Sequence, residues 1–183
     1  MNKALFLDRD GTINIDHGYT YQIEKFDFID GIFDACRAAQ KNGYKIIVIT
    51  NQSGIARGYY TEKDFEKITA YMCAEFEKNG VHIEDVFYCP FLDAEHPDRK
   101  PNPGMLLKAQ EKHNIDMAAS MMVGDSERDI EAGQRAGVGT NVLYAPTPKE
   151  KTKADYQISS FSEFKNHLKK KTSLKHFIKK ERE

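Results

Sequence analysis

The sequence predicts an α/β fold in which a parallel sheet is flanked by helices. Strand and helix signals alternate along almost the whole chain, the pattern of a parallel sheet wrapped by its crossover helices. The strand runs are apolar on both faces, as in Lys45-Ile46-Ile47-Val48-Ile49, which suits a strand covered from both sides. Glycines stand where helical patterns stop, at Gly43, Gly80 and Gly137, and glycine readily takes the backbone conformation that ends a helix.

Taken in order, Ala4-Leu5-Phe6-Leu7 is the first strand, and Asp8-Arg9-Asp10-Gly11-Thr12 follows where it ends. The stretch from Ile15 to Phe28, with Asp16-His17-Gly18-Tyr19 in its middle, reads as a loop or small flap. Gly31 to Asn42 is helical, with Ile32, Phe33 and Cys36 on one face. The second strand, Lys45–Ile49, runs into the polar turn Thr50-Asn51-Gln52-Ser53-Gly54. Thr61 and Asp64 have the spacing of a capping box for a helix reaching about Asn79. Phe65, Ile68, Met72 and Phe76 form that helix's apolar stripe and are read as core.

Val86-Phe87-Tyr88 is a short third strand, followed by a loop from Cys89 to Arg99. Lys100-Pro101-Asn102-Pro103-Gly104 opens a helix through about His113. Met121-Met122-Val123 is the fourth strand and delivers Gly124-Asp125-Ser126-Glu127-Arg128-Asp129, with a helix expected from Ile130 to Ala136. Asn141–Tyr144 and Tyr156–Ile158 are the fifth and sixth strands, and Ser160 with Glu163 caps a last helix.

A length of 183 residues accommodates one domain, residues 1–165, with residues 166–183 as a basic helical extension or tail. Hydrophobic residues at 40% and charged residues at 30% fit a soluble globular chain. The formal net charge of -1 gives no global attraction to nucleic acid or to a membrane surface. No apolar run is long enough for a signal-peptide core or a membrane span. Cys36, Cys73 and Cys89 are odd in number and widely spaced, so no disulfide framework is expected and a cytoplasmic location is. No apolar surface stripe remains after the core is assigned, so the expected state is a monomer.

Candidate chemistry gathers at strand ends. The first, second and fourth strands each lead into polar groups, Asp8/Asp10, Thr50/Asn51 and Asp125/Asp129, and the loop after the third brings Arg99/Lys100. In a parallel sheet all four sets lie along one edge, where ligands of open α/β sheets bind. Two carboxylates about 4 Å apart repel by roughly 4 kcal/mol at an effective dielectric of 20. Such crowding calls for a cation. Phosphoryl transfer uses this mixture: a carboxylate nucleophile splits one hard step into two. Mg²⁺ is held by one or two carboxylates plus phosphate oxygens, and a lysine with hydroxyl and amide donors balances the transferring oxygens.

Asp8-x-Asp10-Gly11-Thr12, Thr50, Lys100 and Gly124-Asp125-x-x-x-Asp129 resemble, in order, the four motifs of the haloacid dehalogenase superfamily of phosphatases. Asp16-His17-Gly18-Tyr19, the run Thr50 to Gly58, and Arg99-Lys100-Pro101-x-Pro103-Gly104-Met105 narrow the resemblance to the heptose bisphosphate phosphatases, which share a subfamily with histidinol-phosphate phosphatases. The match spans roughly residues 3 to 160.

The resemblance implies a Rossmann-like sheet, a phosphatase removing the C7 phosphate of a heptose bisphosphate, and a place in the supply of activated heptose for lipopolysaccharide or other surface polysaccharide, with histidinol phosphate, in histidine biosynthesis, as the alternative substrate. It makes Asp8 the nucleophile and Asp10 the general acid and base, with Thr50 and Lys100 steadying the phosphoryl oxygens. Mg²⁺ falls to Asp8, Asp125 and the Asp10 carbonyl, supported by Asp129. Asp16, His17, Gly18, Tyr19, Asn51, Gln52, Ser53, Arg57 and Arg99 become substrate contacts.

Many members of this subfamily carry a zinc loop before the Arg-Lys-Pro stretch. Here that loop offers Cys89 and His96, too few ligands for a structural site, so no structural zinc is expected and Phe91 and Leu92 are candidates to order the loop by packing inward. The spans from Asp8 to Thr50 and from Thr50 to Lys100 are each used up by predicted elements, leaving no room for a separate cap domain.

Overall fold

The computed structural model describes residues 1–168; the basic tail expected at 166–183 lies outside the described residues from 169 onward. Six strands form one sheet in the order β3-β2-β1-β4-β5-β6. They are β1 (Lys3–Leu7), β2 (Tyr44–Asn51), β3 (Ile83–Cys89), β4 (Met121–Gly124), β5 (Thr140–Tyr144) and β6 (Tyr156–Ile158). Every pairing is parallel. The helices between them are α1 (Ile32–Lys41), α2 (Glu62–Lys78), α3 (Gly104–His113) and α4 (Glu127–Arg135), and residues 161–168 are helical as well.

Side chains of successive strand residues leave opposite faces of a sheet, and the core divides accordingly. Leu5 and Leu7 of β1, with Ile46 and Val48 of β2, pack against α1, α2 and residues 161–168. Ala4 and Phe6, with Ile47 and Ile49, pack against α3 and α4. This two-sided burial is why the strands read as continuous apolar runs. No inserted domain interrupts the described residues. No described helix is long and apolar enough to cross a membrane.

Several boundaries differ from expectation in ways that matter for the site. β2 extends to Asn51, so Thr50 and Asn51 are its last paired residues, opposite Tyr88 and Cys89. α4 begins at Glu127, not Ile130, because Ser126 and Asp129 form a capping box. Its apolar periodicity starts later, since the first turn is polar. At the last helix Ser160 Oγ accepts the Glu163 N–H, but the Glu163 carboxylate returns to the N–H of Ser159 rather than Ser160.

The flap is pinned at its base. Ile15 N–H donates to Asp27 O at 2.8 Å and Ile29 N–H to Ile13 O at 2.9 Å. Phe26 is buried, and Phe28 packs against the rings of Phe26, Phe33 and Phe76. Aromatic burial therefore holds the ends of a segment whose middle stays exposed at Asp16, His17 and Tyr19.

Candidate active site

β1 lies between β2 and β4, so the chain leaves it toward both edges of the sheet, and a crevice opens at the carboxyl ends of these three strands. A cavity of about 450 Å³ occupies it, lined by Asp8, Asp10, Asn51, Lys100, Asp125 and Asp129 at its base. Asp16, Gly18, Tyr19, Ser53, Arg57 and Arg99 also line it.

Lys100 is the hub. The residue is 3% exposed, and its ammonium lies 2.7 Å from Asp8 Oδ1 and 2.8 Å from Ile49 O, and 2.7 Å from Asp129 Oδ1. Its backbone is fixed separately: Asn51 Oδ1 accepts the Lys100 N–H at 3.1 Å, and Asn51 Nδ2 donates to Lys100 O at 3.1 Å. Asp129 is held by its own helix, Oδ2 accepting from Ser126 N–H and Oγ.

Asp8, Asp125 and Asp129 each bring a carboxylate oxygen within 4.8 Å of the others. Against one ammonium this leaves two negative charges uncompensated. Burial, and then the neighbouring Asp129, hold the Asp8 carboxyl well above the ordinary carboxylate range, with Lys100 pulling the other way. The same two causes, in the same order, raise Asp125. Burial works against the Lys100 charge, but Asp129 and Asp8 outweigh it and keep the ammonium protonated. A compact set of hard oxygen donors carrying surplus negative charge is what a divalent cation such as Mg²⁺ requires. Gly11 makes room for it to form: its φ is +83°, and a Cβ there would overlap the Asp125 carboxylate.

Asp10 sits apart, with both oxygens engaged. Arg9 reaches it through Nε at 3.2 Å and Nη2 at 2.9 Å, and Asn14 Nδ2 donates to Oδ1 at 3.0 Å. Gln52 Nε2 donates to Asp10 Oδ2 at 3.0 Å and to Thr50 Oγ1 at 2.9 Å. The Gln52 amide can be oriented from its partners: Tyr60 Oη donates to Gln52 Oε1, and burial pushes the Tyr60 phenol up to about 12, so it keeps its proton. The amide nitrogen therefore faces Asp10.

The sequence-derived set is brought together with two exceptions. His17 does not line this cavity; its Nε2 pairs with Asp27 Oδ2 at 2.7 Å on an exposed face, and it borders a neighbouring depression. The Asx turn at Asp16, where Gly18 N–H donates to Oδ1 at 2.8 Å, carries the chain past His17 and leaves it outside. Thr50 is buried beneath the cavity wall, its hydroxyl accepting from Gln52. Nor do Phe91 and Leu92 pack inward: they are 47% and 41% exposed.

Tyr60, Ser126 and Arg128 line the cavity and were missed, as was Arg9, which is 1% exposed between the rings of Phe26 and Phe65. Only the Ser126-x-x-Asp129 spacing, a capping box, offered a signal; an arginine inside a polar motif looks like any solvated charge.

With fold and site in view, the comparisons agree. Residues 14–137 match the haloacid dehalogenase-like hydrolase model, and the chain belongs to that family. Among its relatives, the D-glycero-beta-D-manno-heptose-1,7-bisphosphate 7-phosphatase of Escherichia coli K12 is 44% identical over 183 residues, covering 91% of this chain and 94% of the relative. The D-glycero-alpha-D-manno-heptose-1,7-bisphosphate 7-phosphatase of Campylobacter jejuni is 48% identical over 164 residues, covering 90% and 91%. The crystal structure of the D,D-heptose 1,7-bisphosphate phosphatase of B. bronchiseptica, complexed with magnesium and phosphate, superposes with a TM-score of 0.82 at 25% identity, covering 92% and 99% of the two chains.

Proposed function

We propose that this protein is a Mg²⁺-dependent phosphatase that removes the C7 phosphate from D-glycero-D-manno-heptose 1,7-bisphosphate. The observation that carries the substrate reading is the charge layout of the cavity. Asp8 and Lys100 lie at its base, and three arginines, Arg57, Arg99 and Arg128, line it besides. One lysine serves the phosphate under attack. Three further guanidinium groups suit a second phosphate, and they would repel the ammonium group of histidinol phosphate. Similarity at 44% to 48% to heptose bisphosphate phosphatases named for either anomer supports the same reading.

In this mechanism Asp8 attacks the C7 phosphorus and forms an aspartyl-phosphate, while the leaving sugar oxygen takes a proton from Asp10. To reach that oxygen Asp10 gives up one of its present donors. Asp10 then takes the proton of the water that hydrolyses the intermediate. Lys100 stabilises charge on the transferring oxygens. Asp8, Asp125 and the Asp10 carbonyl would hold Mg²⁺, which would supply the remaining charge compensation, and Asp129 steadies Lys100 beside them.

The test is phosphate release with Mg²⁺ from both heptose bisphosphate anomers and from histidinol phosphate, with Asp8→Asn as the blank. A large excess in kcat/KM for a heptose anomer is expected. Equal or better turnover of histidinol phosphate would overturn the substrate, and substantial activity in Asp8→Asn would overturn the nucleophile.

A further inference from the structure

The loop between β3 and α3 exposes its tip at Phe91 and Leu92, yet its inner side is closely bonded, and Asn102 is at the centre. Asn102 Nδ2 donates to the carbonyls of Ala94 and His96, both at 3.0 Å. Its backbone N–H donates to Arg99 O at 2.8 Å. Its Oδ1 accepts from Arg135 Nη1 at 3.0 Å, and Arg135 is held in turn by Glu131. One side chain thus joins two points of the loop to the last turn of α4.

Arg99 is the residue this arrangement bears on. Its Nη1 donates across the closed loop to Phe91 O at 2.8 Å, and its side chain lines the cavity. Lys100, its neighbour, is secured independently by Asp8, Asp129, Ile49 O and Asn51. A guanidinium on a long flexible stem loses rotamer freedom when immobilised, and bracing it beforehand removes part of that cost from binding.

We propose that Asn102 is a positioning residue that sets Arg99 for the substrate's second phosphate without acting on Lys100. The proposal rests on the reading above, in which Arg99 meets that phosphate. Loss of Asn102 therefore falls on KM and spares kcat, because the groups at the reacting phosphorus keep their own anchors.

Asn102→Asp tests this: it keeps the shape and the acceptor for Arg135, loses both N–H donors, and sets a carboxylate against two carbonyls. The expected result is a KM for heptose bisphosphate raised about tenfold, the effect of one lost hydrogen bond, at unchanged kcat. p-Nitrophenyl phosphate, which has no second phosphate, should be hydrolysed with unchanged kcat/KM. In the double variant with Arg99→Ala, KM should be no worse than in Arg99→Ala alone. Asn102→Ser, too short to span both carbonyls, is the second variant if the first does not fold, and should give the same split.

An unchanged KM in a folded Asn102 variant, while Arg99→Ala raises it, would overturn the proposal, as would full additivity in the double variant. Tryptic cleavage of the Arg99–Lys100 bond reports the hold on Arg99 without any substrate. Faster cleavage in Asn102→Asp is expected, and an unchanged rate overturns the proposal. If Arg99→Ala leaves KM unaltered, the substrate contact of the preceding section is what fails, and the tryptic rate still decides whether Asn102 holds the loop.

Discussion

Replacing Lys100 by methionine keeps most of the side-chain volume and deletes the single cation among three acids. Lys100 is 3% exposed, its ammonium is 2.7 Å from both Asp8 Oδ1 and Asp129 Oδ1, and Asp125 completes the cluster. Removing one partner of a buried ion pair costs about 3–5 kcal/mol, since the remaining charge is left uncompensated. In a domain of this size each kcal/mol moves Tm by about 2–4 °C, so a fall of roughly 10 °C follows. The sign with pH is fixed by the acids. Asp8 and Asp125 both titrate above the ordinary carboxylate range, first through burial and then through Asp129. The folded state therefore keeps protons that the unfolded chain has released. Stability is lost as pH rises through those raised values and recovered as pH falls through them, and deleting Lys100 raises them further. The assay is thermal unfolding of wild type and Lys100→Met in chelator at mildly alkaline and mildly acidic pH, repeated with Mg²⁺. The gap should be widest in alkaline chelator and should narrow with acid or with metal, which stabilises by binding the folded state. A variant that melts with the wild type in alkaline chelator would refute the argument. In the same protein kcat should drop by about 10²–10³, the usual loss for one transition-state charge partner.

Three other outcomes are expected. Gly11→Ala forces a side chain into φ +83° and against the Asp125 carboxylate, so Mg²⁺ affinity should fall alongside a stability loss of about 1–3 kcal/mol; unaltered metal titration would count against the close approach. Because Asp8 and Asp125 hold protons above the usual range, Mg²⁺ binding should release protons and tighten as pH rises; calorimetry in two buffers of different ionisation enthalpy measures this, and identical heats would contradict it. Thr61→Ala removes the capping box of α2 and should lower stability by about 1 kcal/mol with kcat and KM unchanged, a control showing that stability loss by itself does not reach the site.

What the amino-acid order determined alone is what local energetics control. Apolar runs, capping boxes and helix-ending glycines depend on neighbours within a few residues, so the six strands and most helix ends were legible, and with them the edge where Asp8, Lys100 and Asp125 had to meet. The placement of polar groups at strand ends settled the class of chemistry. Which atoms touch was decided by tertiary structure. Lys100 lies 92 residues from the carboxylate it pairs with, and no spacing encodes such a contact. Burial of Arg9 depends on rings contributed by Phe26 and Phe65, and the exclusion of His17 on a turn made by Asp16. The loop before Lys100 is tied by the two N–H donors of the Asn102 amide, while Phe91 and Leu92 stay exposed instead of packing inward. Hydrophobicity is a property of one residue and can be read in place. A hydrogen-bonding group acquires its role only from the partner that folding brings to it, often from far along the chain.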